Sequence, residues 1–205
     1  MVWLREGELM ATSSSQGNLF EHPIPETNGL VGRSLPLNSN LLQEWQARIH
    51  QFQAPLFERR QPSTEQQHLF ASIQGFPVHD FQPLQLRPLP LSFWRWPNSP
   101  HRGAAIYLVM DRPKNLRYPI LLYVGETMAA DRRWKGEHDC KAYLASYQEA
   151  CMNTGMNCSA SIRFWADVPQ ETHARRRLEQ SLIRLWQPPF NKETRQRWAT
   201  PFHAC

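Results

Sequence analysis

The first hundred residues contain no lysine, and the whole chain has nine glycines against seventeen prolines. No apolar run approaches the roughly 18 residues of a membrane-spanning helix, which excludes a spanning segment. Four cysteines are present, none in a CxxC pair, and no apolar run typical of a signal peptide stands near residue 1. We therefore expect reduced thiols and a cytoplasmic location.

Positive charge is concentrated in the second half of the chain. Residues 1–100 carry seven arginines and eight acids, whereas residues 101–205 carry 16 lysines and arginines against ten acids. Basic side chains that neutralise phosphates release counterions, so a basic second half is typical of a polyanion-binding domain. Charge alone does not distinguish such a domain from a basic domain that binds nothing.

The first hundred residues divide into two regions by composition. Residues 1–40 are rich in Ser, Pro, Gly and Asn, which predicts a flexible tail. Residues 41–100 contain one helix, whose apolar residues recur at three- and four-residue steps; we expect Ser39 or Asn40 to cap it and Pro55 to end it. Prolines then recur up to Pro100, which predicts an irregular region in which Phe93 to Pro97 is extended chain docking its aromatic side chains onto the next domain.

Residues 101–205 have the pattern of a compact α/β (α+β) domain. Two short apolar runs, 104–110 and 120–125, flank a polar turn, which predicts an antiparallel hairpin. Helices are predicted over 127–134 and 141–152, then a third strand over 161–165. A last amphipathic helix is expected to start at Pro169 and to end at Pro188. The predicted fold is a small three-stranded antiparallel sheet flanked by helices, preceded by the largely irregular proline-rich region with its one helix.

Five polar residues stand on these strands and helices where packing alone would not require them: Tyr107, Tyr123, Arg133, Glu179 and Asn191. Together they resemble the GIY-YIG nuclease superfamily, whose paired tyrosine strands correspond here to Ala105-Ile106-Tyr107 and Tyr123-Val124-Gly125. The resemblance covers about residues 101–201. It depends on the ordered combination of motifs, since each piece by itself is weakly specific.

The resemblance implies a metal-dependent endonuclease that nicks DNA, in repair or recombination. Glu179 would be the single carboxylate ligand of one Mg²⁺ or Mn²⁺ ion, and Arg133 would hold the scissile phosphate. Tyr107 would act as the general base or position the attacking water, with Tyr123 beside it. Asn191 would fix the loop that follows the helix carrying Glu179. Because one site cuts one strand, we expect a monomer.

Further candidate residues surround this set. His138 is a candidate catalytic residue, because many relatives have a histidine near this distance after the arginine. The basic residues expected to follow the DNA backbone are Arg132, Lys135, Arg175, Arg176 and Arg177. Two positions depart from the family pattern: Ala105 replaces the usual glycine, and Glu126 follows Gly125, where a carboxylate would either repel phosphate or assist metal binding.

Other interpretations stay open. The same fold would serve as an inactive nucleic-acid-binding module, with Glu126 blocking chemistry, or the whole chain would be a protein-interaction adaptor. The two tyrosines would then be ordinary core residues, Glu179 a solvated helix residue, and Arg175 to Arg177 a solvated helix face. A zinc site is a further alternative, with ligands drawn from His138, Cys140, Cys151 and Cys158. Gln16 to Phe20 resembles the short peptides by which bacterial repair proteins bind the sliding clamp.

Overall fold

The computed structural model of this protein describes residues 38–58, 78, 81–135 and 139–202. They belong to one compact unit, Pro36–Cys205. The predicted clamp-binding peptide, His138 and nearly all of the predicted flexible tail lie outside the described residues. The helices are α1 Ser39–Glu58, α2 Ala130–Arg133, α3 Asp139–Asn153, α4 Thr172–Trp186 and α5 Arg195–Trp198; the strands are β1 Leu89–Pro90, β2 Ala105–Asp111, β3 Ile120–Thr127 and β4 Ser161–Trp165.

The sheet has four antiparallel strands in the order β1-β4-β2-β3. The mixed helix and strand composition and the β2-β3 hairpin are confirmed, but the prediction of three strands is wrong. The fourth strand is the two-residue β1, which pairs Leu89 with Ile162 and Pro90 with Ser161. A proline is tolerated there because β1 is an edge strand, where a missing N–H need not break the ladder.

The central strand β2 is buried on both faces, which explains why it reads as a continuous apolar run. Its odd-numbered residues from Ala105 to Val109 pack in one cluster with apolar residues of α1 and α3. Its even-numbered residues pack in a second cluster with α4. The core therefore does not follow the predicted boundary at residue 100, since α1 supplies Leu42, Trp45 and Ile49 to the first cluster.

Several predicted element ends are corrected. Helix α1 continues through Pro55, which is exposed, so the carbonyl that loses its helical donor can bond to water. Its first turn is capped by Asn38, whose Oδ1 accepts from the Leu41 N–H at 2.8 Å, and not by Ser39 or Asn40. Helix α4 starts three residues after Pro169, because the Glu171 carboxylate accepts from the backbone of His173 and Ala174.

The segment predicted to be extended chain forms a 3-10 turn at Phe93–Arg95. Only Phe93 docks into the core, whereas Trp94 and Trp96 are 37% and 41% exposed. Within the part of the chain that is described, no helix is long and apolar enough to cross a membrane.

Side chains close the outer edge of β3, the side that faces away from β2. The Gln53 amide of α1 accepts from the Leu121 N–H at 2.7 Å and donates to the Leu121 carbonyl at 3.0 Å. It also donates to the Trp186 carbonyl at the end of α4, at 2.9 Å. Gln53 is fully buried, so these three contacts satisfy backbone groups that water does not reach.

We predict that Gln53→Leu lowers the free energy of unfolding by about 2 to 4 kcal/mol, because it leaves buried backbone groups without partners. Gln51→Leu is the matched control, since Gln51 is exposed on the same helix. It should change stability by less than about 0.5 kcal/mol. Urea unfolding measures both; equal costs for the two variants would contradict the structural role of the Gln53 amide.

Candidate active site

The two motif tyrosines lie side by side on β2 and β3. Their ring centroids are 5.9 Å apart with the planes inclined by 27°, and a hydrogen bond joins the two phenol groups. Tyr107 is almost fully buried and Tyr123 is half-buried. The antiparallel register pairs Tyr107 with Gly125 and Val109 with Tyr123, so the odd residues of both strands share one face of the sheet.

Gly125 is required by the position of the Tyr107 ring. A Cβ at residue 125 would lie 2.3 Å from Tyr107 Cζ and 2.4 Å from its hydroxyl oxygen. Both distances are far shorter than van der Waals contact, so the phenol lies directly across the Gly125 backbone. Gly125 of the second motif is therefore needed to make room for the Tyr107 ring of the first motif. It does not end the strand, as the sequence suggested, because β3 continues to Thr127.

Helix α2 brings Arg133 to this tyrosine pair. Its Nε donates to the Tyr107 hydroxyl oxygen at 3.2 Å. Arg133 is exposed, and within the described residues no carboxylate forms an ion pair with it. Burial nevertheless dominates at the phenol and raises the Tyr107 pKa to about 12, with Arg133 acting in the opposite direction.

Glu179 approaches the same end of the sheet from α4. Its Oε1 accepts from the Glu126 N–H on the outer edge of β3, at 3.0 Å. Burial, together with the negative charges of Glu126 and Glu193, raises the pKa of the Glu179 carboxyl to about 7, although the Glu126 N–H and the charge of Arg176 act in the opposite direction. Glu179 is close enough to Tyr123 for its charge to contribute to the raised pKa of that phenol. The two tyrosines, Arg133 and Glu179 therefore form one continuous group.

Asn191 holds the chain that follows α4 against β3. Its Oδ1 accepts from the Val124 N–H at 3.0 Å and its Nδ2 donates to the Val124 carbonyl at 2.8 Å, as a paired strand would. The Phe190 N–H donates to the Leu122 carbonyl at 3.0 Å. Asn191 therefore holds β3 at Val124, the residue next to Tyr123.

Glu126 is neutralised by a buried arginine. The Arg175 Nε lies 2.9 Å from Glu126 Oε2, and the Arg175 side chain is completely buried. Its Nη1 donates to the carbonyls of Pro169 and Gln170 at 3.1 Å. Arg176, on the exposed side, approaches Glu126 Oε1 at 3.4 Å. Both oxygens of Glu126 are thus engaged by arginine.

Arg175 must be removed from the predicted DNA-contacting residues and from the predicted solvated face, because its guanidinium is enclosed. Arg132, Lys135, Arg176 and Arg177 are exposed, as that prediction requires. The sequence held a signal for this difference: Arg175 precedes Leu178 by three residues and Leu182 by seven, which puts it on the buried stripe of α4. Ala105 is fully buried, so its methyl group fits the core.

The donor set suits a hard divalent cation held by one protein carboxylate. Glu179 Oε2 accepts no hydrogen bond within the described residues, and burial, followed by the like charges of Glu126 and Glu193, raises the pKa of this carboxyl. Glu126 is not a second ligand, since its two oxygens face arginines. No group of three His, Cys, Asp or Glu side chains is close enough together to hold a metal in the part of the chain described. Water and phosphate oxygens would have to complete the coordination shell.

Comparisons with protein-family models, with curated proteins and with solved structures found no match to this chain.

A double-mutant cycle tests the packing of Tyr107 on Gly125. Gly125→Ala should lower the free energy of unfolding by about 1 to 3 kcal/mol, because the added methyl overlaps the ring. In a Tyr107→Leu background the same change should cost clearly less, since Leu lacks the atoms that clash. Urea unfolding of the four proteins gives the coupling. If the cost is the same in both backgrounds, the ring does not lie across Gly125.

The raised pKa of Glu179 predicts a pH-dependent difference in stability. The folded protein holds the Glu179 proton up to about pH 7, whereas the unfolded chain releases it near 4.5, so the wild type loses stability between these values as pH rises. Glu179→Gln keeps an acceptor but cannot ionise, and should become more stable relative to wild type from pH 4.5 to 8. Thermal unfolding measures this, with Glu149→Gln, an exposed site on α3, as the control. A flat difference for Glu179→Gln would contradict the shift.

Proposed function

We propose that this protein is a metal-dependent endonuclease that hydrolyses phosphodiester bonds in DNA. The observation that carries the proposal is the convergence of Tyr107, Tyr123, Arg133 and Glu179 at one end of the β2-β3 hairpin. Four elements, β2, β3, α2 and α4, contribute to this group. Its chemistry matches hydrolysis of a phosphodiester, which needs activated water and positive charge around the phosphate.

The hydrogen bonds around the phenols divide the two tyrosine roles. Arg133 donates to the Tyr107 oxygen, and the hydrogen bond with Tyr123 also favours the ionised form of Tyr107. The same bond disfavours ionisation of Tyr123, whose pKa is raised by burial first and by its neighbours as well. Tyr107 is therefore the phenol better suited to accept a proton from the attacking water, and Tyr123 is the one that positions it.

Arg133 supplies charge to the phosphate. With Nε on Tyr107, its Nη groups remain to donate to a nonbridging phosphate oxygen, and its exposure permits that approach. Tyr107 must first release its own proton to solvent, because its raised pKa keeps the phenol protonated. As the water oxygen bonds to phosphorus, a water proton passes to the Tyr107 phenolate oxygen and the opposite P–O bond breaks. The leaving oxygen takes a proton from solvent, so charge and protons balance.

Glu179 would hold Mg²⁺ or Mn²⁺ through the oxygen that does not bind the Glu126 amide. When bound, such an ion supplies positive charge that stabilises the crowded phosphate and lowers the pKa of nearby groups. Binding requires the ionised carboxylate. Because the Glu179 pKa is about 7, cation affinity should rise as pH increases through that value.

The second candidate is the inactive binding module, in which Glu126 would block chemistry by repelling the phosphate. The two arginines at Glu126 weaken that argument, because a paired carboxylate repels phosphate less. The interaction adaptor has no such specific observation in its favour.

We expect the protein to nick supercoiled plasmid with Mg²⁺ or Mn²⁺ and to be inactive with a chelator. Glu179→Gln should abolish nicking because it removes the charged ligand, and Arg133→Ala should slow nicking about 100- to 1,000-fold because phosphate charge loses its partner. Glu149→Gln is the matched control for loss of one carboxylate and should nick as wild type does. Gel analysis of plasmid and of branched substrates measures the outcome.

Two results would count against the proposal in different ways. Salt-dependent DNA binding without cleavage of plasmid or branched DNA would favour the binding module. Equal nicking by wild type and Glu179→Gln would indicate a contaminating nuclease or a different metal ligand.

A further inference from the structure

Two cavities meet at Trp94, on the segment that precedes β2. One has a volume of about 230 Å³ and is lined by Trp94, Trp96, Arg102, Asp131 and Lys135, among others. The second, of about 210 Å³, is lined by Trp94, Trp134, Lys141 and Leu144, among others. An exposed indole between two clefts is a surface that presents an aromatic ring to a flat ligand.

Cations surround this indole. Arg95 Cζ lies 5.0 Å from the Trp94 ring centroid and Lys141 Nζ lies 5.7 Å from it. Arg102 and Lys135 line the first cavity, and among its described lining residues Asp131 is the one acid. Trp94 is partly exposed, and Arg95 and Lys141 lie over its ring. An indole with mobile cationic side chains on it is suited to nucleotides, whose bases stack and whose phosphates are anionic. Asp131 is an acceptor that fits the amino group of a base.

Trp94 is connected to the candidate active site by packing through Lys141 and the buried ring of Trp134. Lys141 Nζ also lies 5.8 Å from the Trp134 ring, and that ring is 5.8 Å from the Tyr107 ring. Asp131 and Lys135 flank Arg133 in sequence, and Asp131 lies with it on α2. A strand whose phosphate reached Arg133 would therefore pass Trp94 within a few nucleotides.

We infer that Trp94, with Trp96 beside it, is a stacking site for unpaired nucleotides, and that the substrate is DNA with a single-stranded segment next to the scissile phosphate. The substrate part of this inference rests on the proposed nuclease function, whereas the stacking site would exist without it. Bases inside a duplex are stacked on each other and cannot reach an indole face. Only unpaired bases offer both faces to the cleft.

Binding is measured first, by fluorescence anisotropy of a labelled oligothymidylate and of a labelled duplex, with the full chain and a chelator so that no strand is cut. Trp94→Ala should weaken binding of the single strand roughly 5- to 100-fold and leave duplex affinity nearly unchanged. Trp94→Phe should keep most of the affinity, because it keeps an aromatic face. Met152→Ala, at an exposed apolar site on α3, should have no effect.

Cleavage is measured second, on plasmid and on a duplex with a single-stranded flap. The wild type should cut the flapped substrate faster, and Trp94→Ala should lose this preference while still nicking plasmid. Single-strand affinity that is unaffected by Trp94→Ala, or lowered equally for the duplex, would overturn the stacking site. Trp94-dependent single-strand binding without any cleavage would leave the stacking site standing and overturn the nuclease.

Discussion

The structure depends on the side chains that form hydrogen bonds with the backbone groups on the outer edge of β3. An edge strand exposes backbone N–H and carbonyl groups that would otherwise pair with another chain or remain unsatisfied. Here Gln53, Asn191 and Glu179 each bond to one of those positions, at Leu121, Val124 and Glu126. The register shift at Leu122, which has no partner on β2, lets these contacts fall on both sides of it. The edge therefore fixes α1, α4 and the chain after α4 relative to the strand that carries Tyr123.

The carboxylates of Glu126 and Glu179 are neighbours but have opposite electrostatic surroundings. Glu126 faces a buried arginine and an exposed one, so its charge is compensated within the protein. Glu179 is partly buried and lies near two like charges, and these raise its pKa to about 7 despite the hydrogen bond from the Glu126 N–H. A bound cation would stabilise the ionised form of the Glu179 carboxyl, which burial otherwise disfavours. The contrast explains why Glu126, beside the motif glycine, is compatible with the function that we propose.

The segment before β2 belongs to the same body as the site. The ring centroid of Trp45 on α1 lies 5.8 Å from that of Tyr147 and 6.3 Å from that of Phe190. Phe190 is the residue directly before Asn191. The turn at Phe93 anchors one aromatic residue and leaves two exposed beside α2. Because these contacts link α1 to the chain after α4, the proline-rich region both supports the site and extends its surface.

Apolar periodicity and motif order are local properties, so they sufficed to predict the strands β2, β3 and β4, helices near α3 and α4, and the polar residues on them. The apolar stripe of α4 also indicated that Arg175 is buried, but the sequence could not show that its partner is Glu126, 49 residues away. Nor could it show that Gln53 and Asn191 serve as strand partners for β3, or that β1 joins the sheet. A buried polar group is stable only where its hydrogen-bond partners converge. Those partners come from distant parts of the chain, so only the tertiary structure decides them.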